Sequence, residues 1–152
     1  MPESVEPASA VIAPEADALL RWLGAAQRAH DVALRRTADR ELFGSLGLAQ
    51  QLIADNEIEL AASRALLAQA VGQVAAGAKG TEESSRAKVF ISEATCRIVD
   101  RAVQLAGGVG VTEESAIGRI YADIRAFRIY DGPSEVHRWS LAQRIARQGP
   151  NW

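Results

Sequence analysis

Tyr130-Asp131-Gly132-Pro133-Ser134-Glu135 sets a phenol, a carboxylate and a hydroxyl at the point where a last helix starts. A carboxylate so placed can take a proton from a bound substrate. The helix start beside it offers unpaired N–H groups and the positive end of the helix dipole, which suit an anion. Upstream, Gln104-Leu105-Ala106-Gly107-Gly108-Val109-Gly110 closes a long apolar pattern with a glycine cluster. Backbone without Cβ atoms lets a ligand approach closely. The two segments together outline an edge for an anionic cofactor or substrate, with a base beside it. Each also has a plainer reading, Asp131 as a helix N-cap and the glycines as a helix stop.

Other chemistries fit less well. The glycine cluster is not a dinucleotide fingerprint, because no strand precedes it and Glu113 stands where G-x-G-x-x-G needs its third glycine. His30 and His137 lie far apart and no Cys/Asp/Glu grouping has metal-ligand spacing. Ser134 has no triad around it. Cys96 is the single cysteine, inside a helical apolar pattern, which favours a buried small hydrophobe over a nucleophile. It excludes an intramolecular disulfide and points to a reducing compartment, with cytoplasm the expected location.

The elements that must position these residues read as helices throughout. Residues 1–14 hold three of the five prolines and read as a mobile tail, leaving 15–152 as one helical domain. From Ala16, Leu19, Leu23, Ala26, His30 and Leu34 share one helix face, and Gly44, Ser45 and Gly47 stop that helix after Arg40. A second helix runs from Leu48 to Ala76, with Ile53, Leu60, Leu67 and Val74 spaced by seven, which suits antiparallel packing at a shallow angle. In the turn that follows, Gly80 suits the left-handed position after a helix and Thr81 suits an N-cap. The third helix carries Ile91, Ala94, Ile98, Ala102 and Leu105 on one stripe. A shorter helix spans Ala116 to Phe127, and the last begins near Pro133. No run alternates with period two, so the fold class is all-α, an antiparallel four-helix-type bundle.

Bulk properties agree with a globular helical domain. The chain has 152 residues, 48% of them apolar and 24% charged, with a net charge of −2. That balance gives no basic surface for nucleic acid or anionic lipid. The longest small-apolar run, Leu66 to Ala78, is broken by Gln69, Gln73 and two glycines, so no membrane span is expected. Nor does the N-terminus carry the basic start and continuous apolar run of a signal peptide.

The motifs, taken together, resemble the C-terminal domain of the acyl-CoA dehydrogenases, FAD-dependent α,β-desaturases of acyl-CoA thioesters. The family's G-x-A-Q-R-A-x-D matches Gly24-Ala25-Ala26-Gln27-Arg28-Ala29-His30-Asp31, and its E-R-x-x-F-G matches Asp39-Arg40-Glu41-Leu42-Phe43-Gly44. Its Q-x-x-G-G-x-G matches Gln104, Gly107, Gly108 and Gly110. Its I-Y-E-G-T-S-E matches Ile129-Tyr130-Asp131-Gly132-Pro133-Ser134-Glu135. The resemblance covers roughly Leu20 to Arg147. The Asp-Gly-Pro-x-Glu-Val-His wording looks closest to the branch acting on longer or hydroxylated acyl-CoAs.

The resemblance implies roles residue by residue. Arg40 and Phe43 would contact the diphosphate and adenosine side of FAD, and Gln51 would line the flavin region. Gln104, Gly107 and Gly108 would lie along the adenine-diphosphate half of a FAD held by a neighbouring subunit. Ser134 and Glu135 would lie near the cofactor at the last helix start. Asp131 stands where the family's base stands, in place of the common Glu, and would remove the α-proton while hydride leaves the β-carbon for the flavin. Tyr130 and Gly132 would flank the thioester. The family's N-terminal helical and middle β-domains have no counterpart here, so catalysis would need them in trans or on a longer chain. The expected partners are acyl-CoA and a homo-oligomer, dimer or tetramer, or a chain carrying those domains. A non-catalytic bundle serving as an oligomerisation or regulatory partner is the alternative.

Overall fold

A computed structural model describes residues 9–40 and 47–149. Five α-helices occur among them: α1 (Ser9–Ala38), α2 (Gly47–Ala75), α3 (Thr81–Ala106), α4 (Ala116–Ile124) and α5 (Ser134–Gln148). Single 3-10 turns follow α3 (Gly107–Val111) and α4 (Arg125–Arg128). The all-α expectation holds, and no strand occurs among the described residues. The first helix starts ahead of Ala16, so residues 9–14 of the expected tail are helical, while residues 1–8 lie outside the described residues.

The three long helices run up, down and up. Side-chain bonds pair Gln27 with Arg64 and His30 with Asn56 and Glu57, and pair Asn56 with Arg101 and Glu59 with Arg97, so α2 runs antiparallel to both neighbours. α3 is the central element because its stripe is the most fully buried: Ile91, Ala94, Ile98, Ala102 and Leu105 are all core residues, as their spacing predicts. On α1 the buried face differs in part from expectation. Leu19, Leu23, Ala26 and His30 are buried, but the stripe continues through Ala33 and Thr37, and Leu34 is 40% exposed. The steps alternate four and three throughout, so the step from His30 is three, to Ala33, and not four, to Leu34, and two smaller residues fill the close-packed side of the helix.

Buried polar groups fix how the helices meet. His30, with no exposed surface, is bonded at Nε2 to Glu57 Oε1 (3.0 Å) and at Nδ1 to Asn56 Nδ2 (3.1 Å). Asn56 Oδ1 accepts from Arg101 Nη1 at 3.3 Å, and Glu59 receives both Arg101 and Arg97. His30 is thus a satisfied core histidine, and sliding any of the three helices by one turn would strand these groups without partners.

The connections correct two turn assignments. Gly77, at φ 83°, is the left-handed residue after α2, with Ala78 N–H donating to the Gln73 carbonyl (3.0 Å) and Gly77 N–H to that of Val74 (2.9 Å). Gly80 is left-handed too, but it is the N-cap of α3, and Thr81 is that helix's first residue. Gly80 has no side-chain oxygen, so α3 starts without a side-chain cap, and the two acids of its first turn, Glu82 and Glu83, suit the positive end of its dipole instead. Ser115 does cap α4, accepting from the N–H groups of Ile117 and Gly118. A Cβ on Gly118 would fall 2.1 Å from the Thr112 carbonyl oxygen, so only glycine lets the loop after α3 fold onto α4.

Candidate functional site

The site residues expected from sequence fall into two groups at opposite ends of α3. Ser85 and Lys88, near its start, pack against the segment carrying Asp131, and Gly107 follows its end. About 30 Å of helix separates the two groups at 1.5 Å per residue.

The group beyond the end of α3 is an open edge of small residues with a cation. Gly107 has φ 68°, and a Cβ built on it would lie 3.8 Å from Arg40 Nη1, so the guanidinium sits directly over this glycine. Gly108 has open space where its Cβ would be, and both Gly108 and Gln104 are exposed. Gly110 is different: a Cβ there would fall 2.8 Å from the Val103 carbonyl oxygen, so it is glycine for packing. Gln51 is exposed in the first turns of α2. Phe43 lies outside the described residues.

The other group surrounds Asp131. α4 and its 3-10 turn lie antiparallel along α3, with Cys96 Sγ on the Ile124 carbonyl (3.6 Å) and the buried Lys88 Nζ on the Phe127 carbonyl (2.6 Å). Burial pushes the Cys96 thiol above its ordinary range, which suits packing rather than nucleophilic chemistry. Lys88 also lies over the Phe127 ring, 4.6 Å from its centroid. Phe127 stacks on Trp22 (5.4 Å), and Tyr130 closes a cluster of three rings. Asp131 then lines a groove of about 360 Å³ with Ala18, Arg21, Trp22, Ala25 and Tyr130. Burial pushes the Tyr130 phenol above its usual range, the charge of Asp131 adds to that, and a hydrogen bond with Trp22 opposes it.

The start of α5 departs from a simple N-cap arrangement. Asp131 is not the cap: Pro133 occupies that position, and its carbonyl accepts from the N–H groups of Val136 and His137. Asp131 and Gly132 precede it with φ 55° and 87°. Ser134 is fully buried, its hydroxyl 3.2 Å from that of Ser92, so it faces α3 and not the open groove. Glu135 is exposed in the first turn, where negative charge suits the helix end. Sequence reasoning missed Trp22 and Lys88. Their signal was weak, since a tryptophan and a lysine on apolar helix faces read as core and solvated edge.

This arrangement combines an open groove walled by aromatic rings with one carboxylate on its rim, and a remote glycine edge with a guanidinium. The chain's similarities point the same way. The family described as "Acyl-CoA dehydrogenase, C-terminal domain" matches residues 16–146. The "Probable acyl-CoA dehydrogenase FadE2" of Mycobacterium tuberculosis is 34% identical over 132 residues, covering 82% of this chain and 32% of that protein. The "3-(aryl)acrylate reductase" of Clostridium sporogenes is 33% identical over 129 residues, covering 82% of this chain and 34% of its own. Among solved structures, an acyl-CoA dehydrogenase from Slackia heliotrinireducens superposes with a TM-score of 0.84 at 25% identity, over 89% of this chain and 36% of that one. The chain spans about a third of the length of these two curated relatives. It belongs to the acyl-CoA dehydrogenase family and carries that family's C-terminal helical domain.

Proposed function

We propose that this chain supplies the proton-abstracting carboxylate and part of the flavin-binding surface of a FAD-dependent acyl-CoA dehydrogenase. Members of the family are FAD flavoproteins, and bound FAD supplies the two-electron acceptor for substrate oxidation. The observation that carries the reading is the placement of Asp131 at the mouth of the 360 Å³ groove, against Trp22 and Tyr130. A carboxylate there can reach an acyl chain lying along the aromatic wall and take the proton next to the thioester carbonyl. The residues at the far end of α3 fit a diphosphate: Arg40 offers a planar donor fork, and Gly107 and Gly108 leave the backbone open beneath it. On this reading Gln104 borders the same edge, Gln51, Phe43 and Glu135 contribute around the cofactor, and Tyr130 and Gly132 flank the thioester, while Ser134, buried against Ser92, holds the start of α5 to α3.

Catalysis then requires segments equivalent to those making up the rest of the relatives' length, on the same polypeptide or on a partner chain. The groove alone leaves substrate and base without a fixed mutual geometry, and orientation supplies much of the rate enhancement. The 152-residue chain on its own is therefore expected to show no turnover. In the complete flavin-loaded assembly, Asp131→Asn keeps size but cannot accept the proton, and should lower kcat by on the order of 10³-fold or more with flavin content unchanged. Unchanged kcat would remove Asp131 from the role of base and favour the non-catalytic reading of the bundle.

A further inference from the structure

Among the described residues, Asp131 is the non-glycine residue with a positive φ, 55°, and Gly132 follows it at 87°. A left-handed aspartate is less costly than most residues there but still needs something to hold it. His137, in the first turns of α5, folds back over this turn. Its Nε2 lies 3.0 Å from the Asp131 carbonyl oxygen, and its Nδ1 lies 3.3 Å from the Ser85 hydroxyl on α3. A carbonyl only accepts, so Nε2 carries the proton, and in the neutral ring Nδ1 must accept from Ser85. Ser85 is itself buried. A Cβ on Gly132 would fall 2.7 Å from His137 Nε2, so glycine at 132 is what lets the imidazole come this close. Aspartate, glycine and histidine at 131, 132 and 137 thus form one device.

We infer that His137 is a positioning residue: it clamps the backbone of residue 131 in the left-handed conformation and thereby aims the Asp131 carboxylate into the groove. The inference rests on the reading of Asp131 as base, and it explains how an aspartate can serve. The side chain is a methylene shorter than glutamate and has one torsion fewer with which to correct a misplaced backbone. Its reach is therefore set by φ and ψ at residue 131, and these are held by the imidazole and, through it, by α3. The Lys88 bond to the Phe127 carbonyl fixes the same segment from its other end.

Two variants separate the clamp from general stability. His137→Phe keeps the ring but removes the donor; His137→Gln keeps an N–H at the reach of Nε2. In the chain itself, the imidazole 15N shifts of the wild type should report a proton on Nε2, and the amide–Hα coupling of Asp131 should report positive φ. That coupling should change in His137→Phe and persist in His137→Gln, with the α1–α3 core resonances unmoved. A proton on Nδ1, or a coupling at Asp131 indifferent to His137→Phe, would overturn the clamp. In the flavin-loaded assembly, His137→Phe should lower kcat on the order of 10–100-fold with KM changed by less than about twofold, and His137→Gln should restore most of it. Equal kcat in the two variants would overturn the positioning role. The Asp131→Asn control keeps the two readings apart: if it retains turnover while the coupling still depends on His137, the base assignment fails and the backbone clamp stands.

Discussion

At residue 131 a carboxylate shares its groove with the Tyr130 phenol, and the two groups act on each other. Burial raises the phenol first and the Asp131 charge second, because ionising the phenol would set two negative charges side by side in a partly desolvated place. Asp131→Asn removes the second contribution and leaves the first. The Tyr130 titration, followed through its ring resonances, should shift to lower pH while remaining above that of a free tyrosine. An unmoved titration would mean that the carboxylate points away from the groove. The two ends of the site also illustrate what residue types reveal. The cluster Gly107-Gly108-Val109-Gly110 reads as uniform, yet the structure divides it: Gly108 is open, Gly107 lies against the Arg40 guanidinium, and Gly110 is pressed against the Val103 carbonyl. Composition cannot make that division, because it depends on which way the 3-10 turn folds back.

At the scale of elements, α3 organises the molecule, and its polar residues matter as much as its apolar stripe. Glu93, five residues after Lys88, receives Arg128 at 2.9 Å and Arg138 at 3.5 Å, joining α3 to the 3-10 turn and to α5. Burial alone would raise its carboxyl. Hydrogen bonds from Arg128 and Ser134 and the charges of Arg128 and Arg138 outweigh that and hold it below the usual carboxylate range. The folded state therefore favours the ionised form. The resulting stability is full above the ordinary carboxylate pKa and is lost as pH falls through the lower folded value. Glu93→Gln should cost about 1–2 kcal/mol at neutral pH and flatten the acid limb of the melting temperature between neutral pH and pH 3. An acid limb as steep as wild type would show that these arginines leave Glu93 in solution. Helix existence and limits were legible in the sequence at α2 and α3, where seven-residue spacing and terminal glycines agree. The fully buried α3 stripe was legible too, because every one of its positions meets another helix. The shift on α1 from Leu34 to Ala33 and Thr37 was not legible, since it depends on how close α3 approaches. Nor was the left-handed turn at Asp131-Gly132, which is imposed by a histidine six residues further on.

At the scale of the whole molecule, the distance between the two groups of site residues becomes an argument about assembly. A flavin whose ring faces Asp131 would have to follow about 30 Å of α3 to rest its diphosphate on Gly107 of the same chain. Two copies remove that difficulty if the Arg40–Gly107 edge of one serves the cofactor held beside Asp131 of the other. The surface is compatible with such pairing: Trp139 (66% exposed), Val136 and Ile129 leave apolar area uncovered around α5, and an apolar groove of about 550 Å³ runs between α1 and α2. The chain should then sediment above its monomer mass of 16.3 kDa at micromolar concentration. A sharper test mixes two inactive variants in the flavin-loaded assembly. Arg40→Ala leaves the base intact and spoils the diphosphate edge, whereas Asp131→Asn does the reverse. If each site takes its base from one copy and its edge from the other, a mixed dimer holds one intact site and one doubly damaged one. Random mixing should then recover about a quarter of wild-type activity, since about half the dimers are mixed and half their sites are whole. If both parts of a site come from one chain, every site in the mixture carries one lesion, and no activity returns.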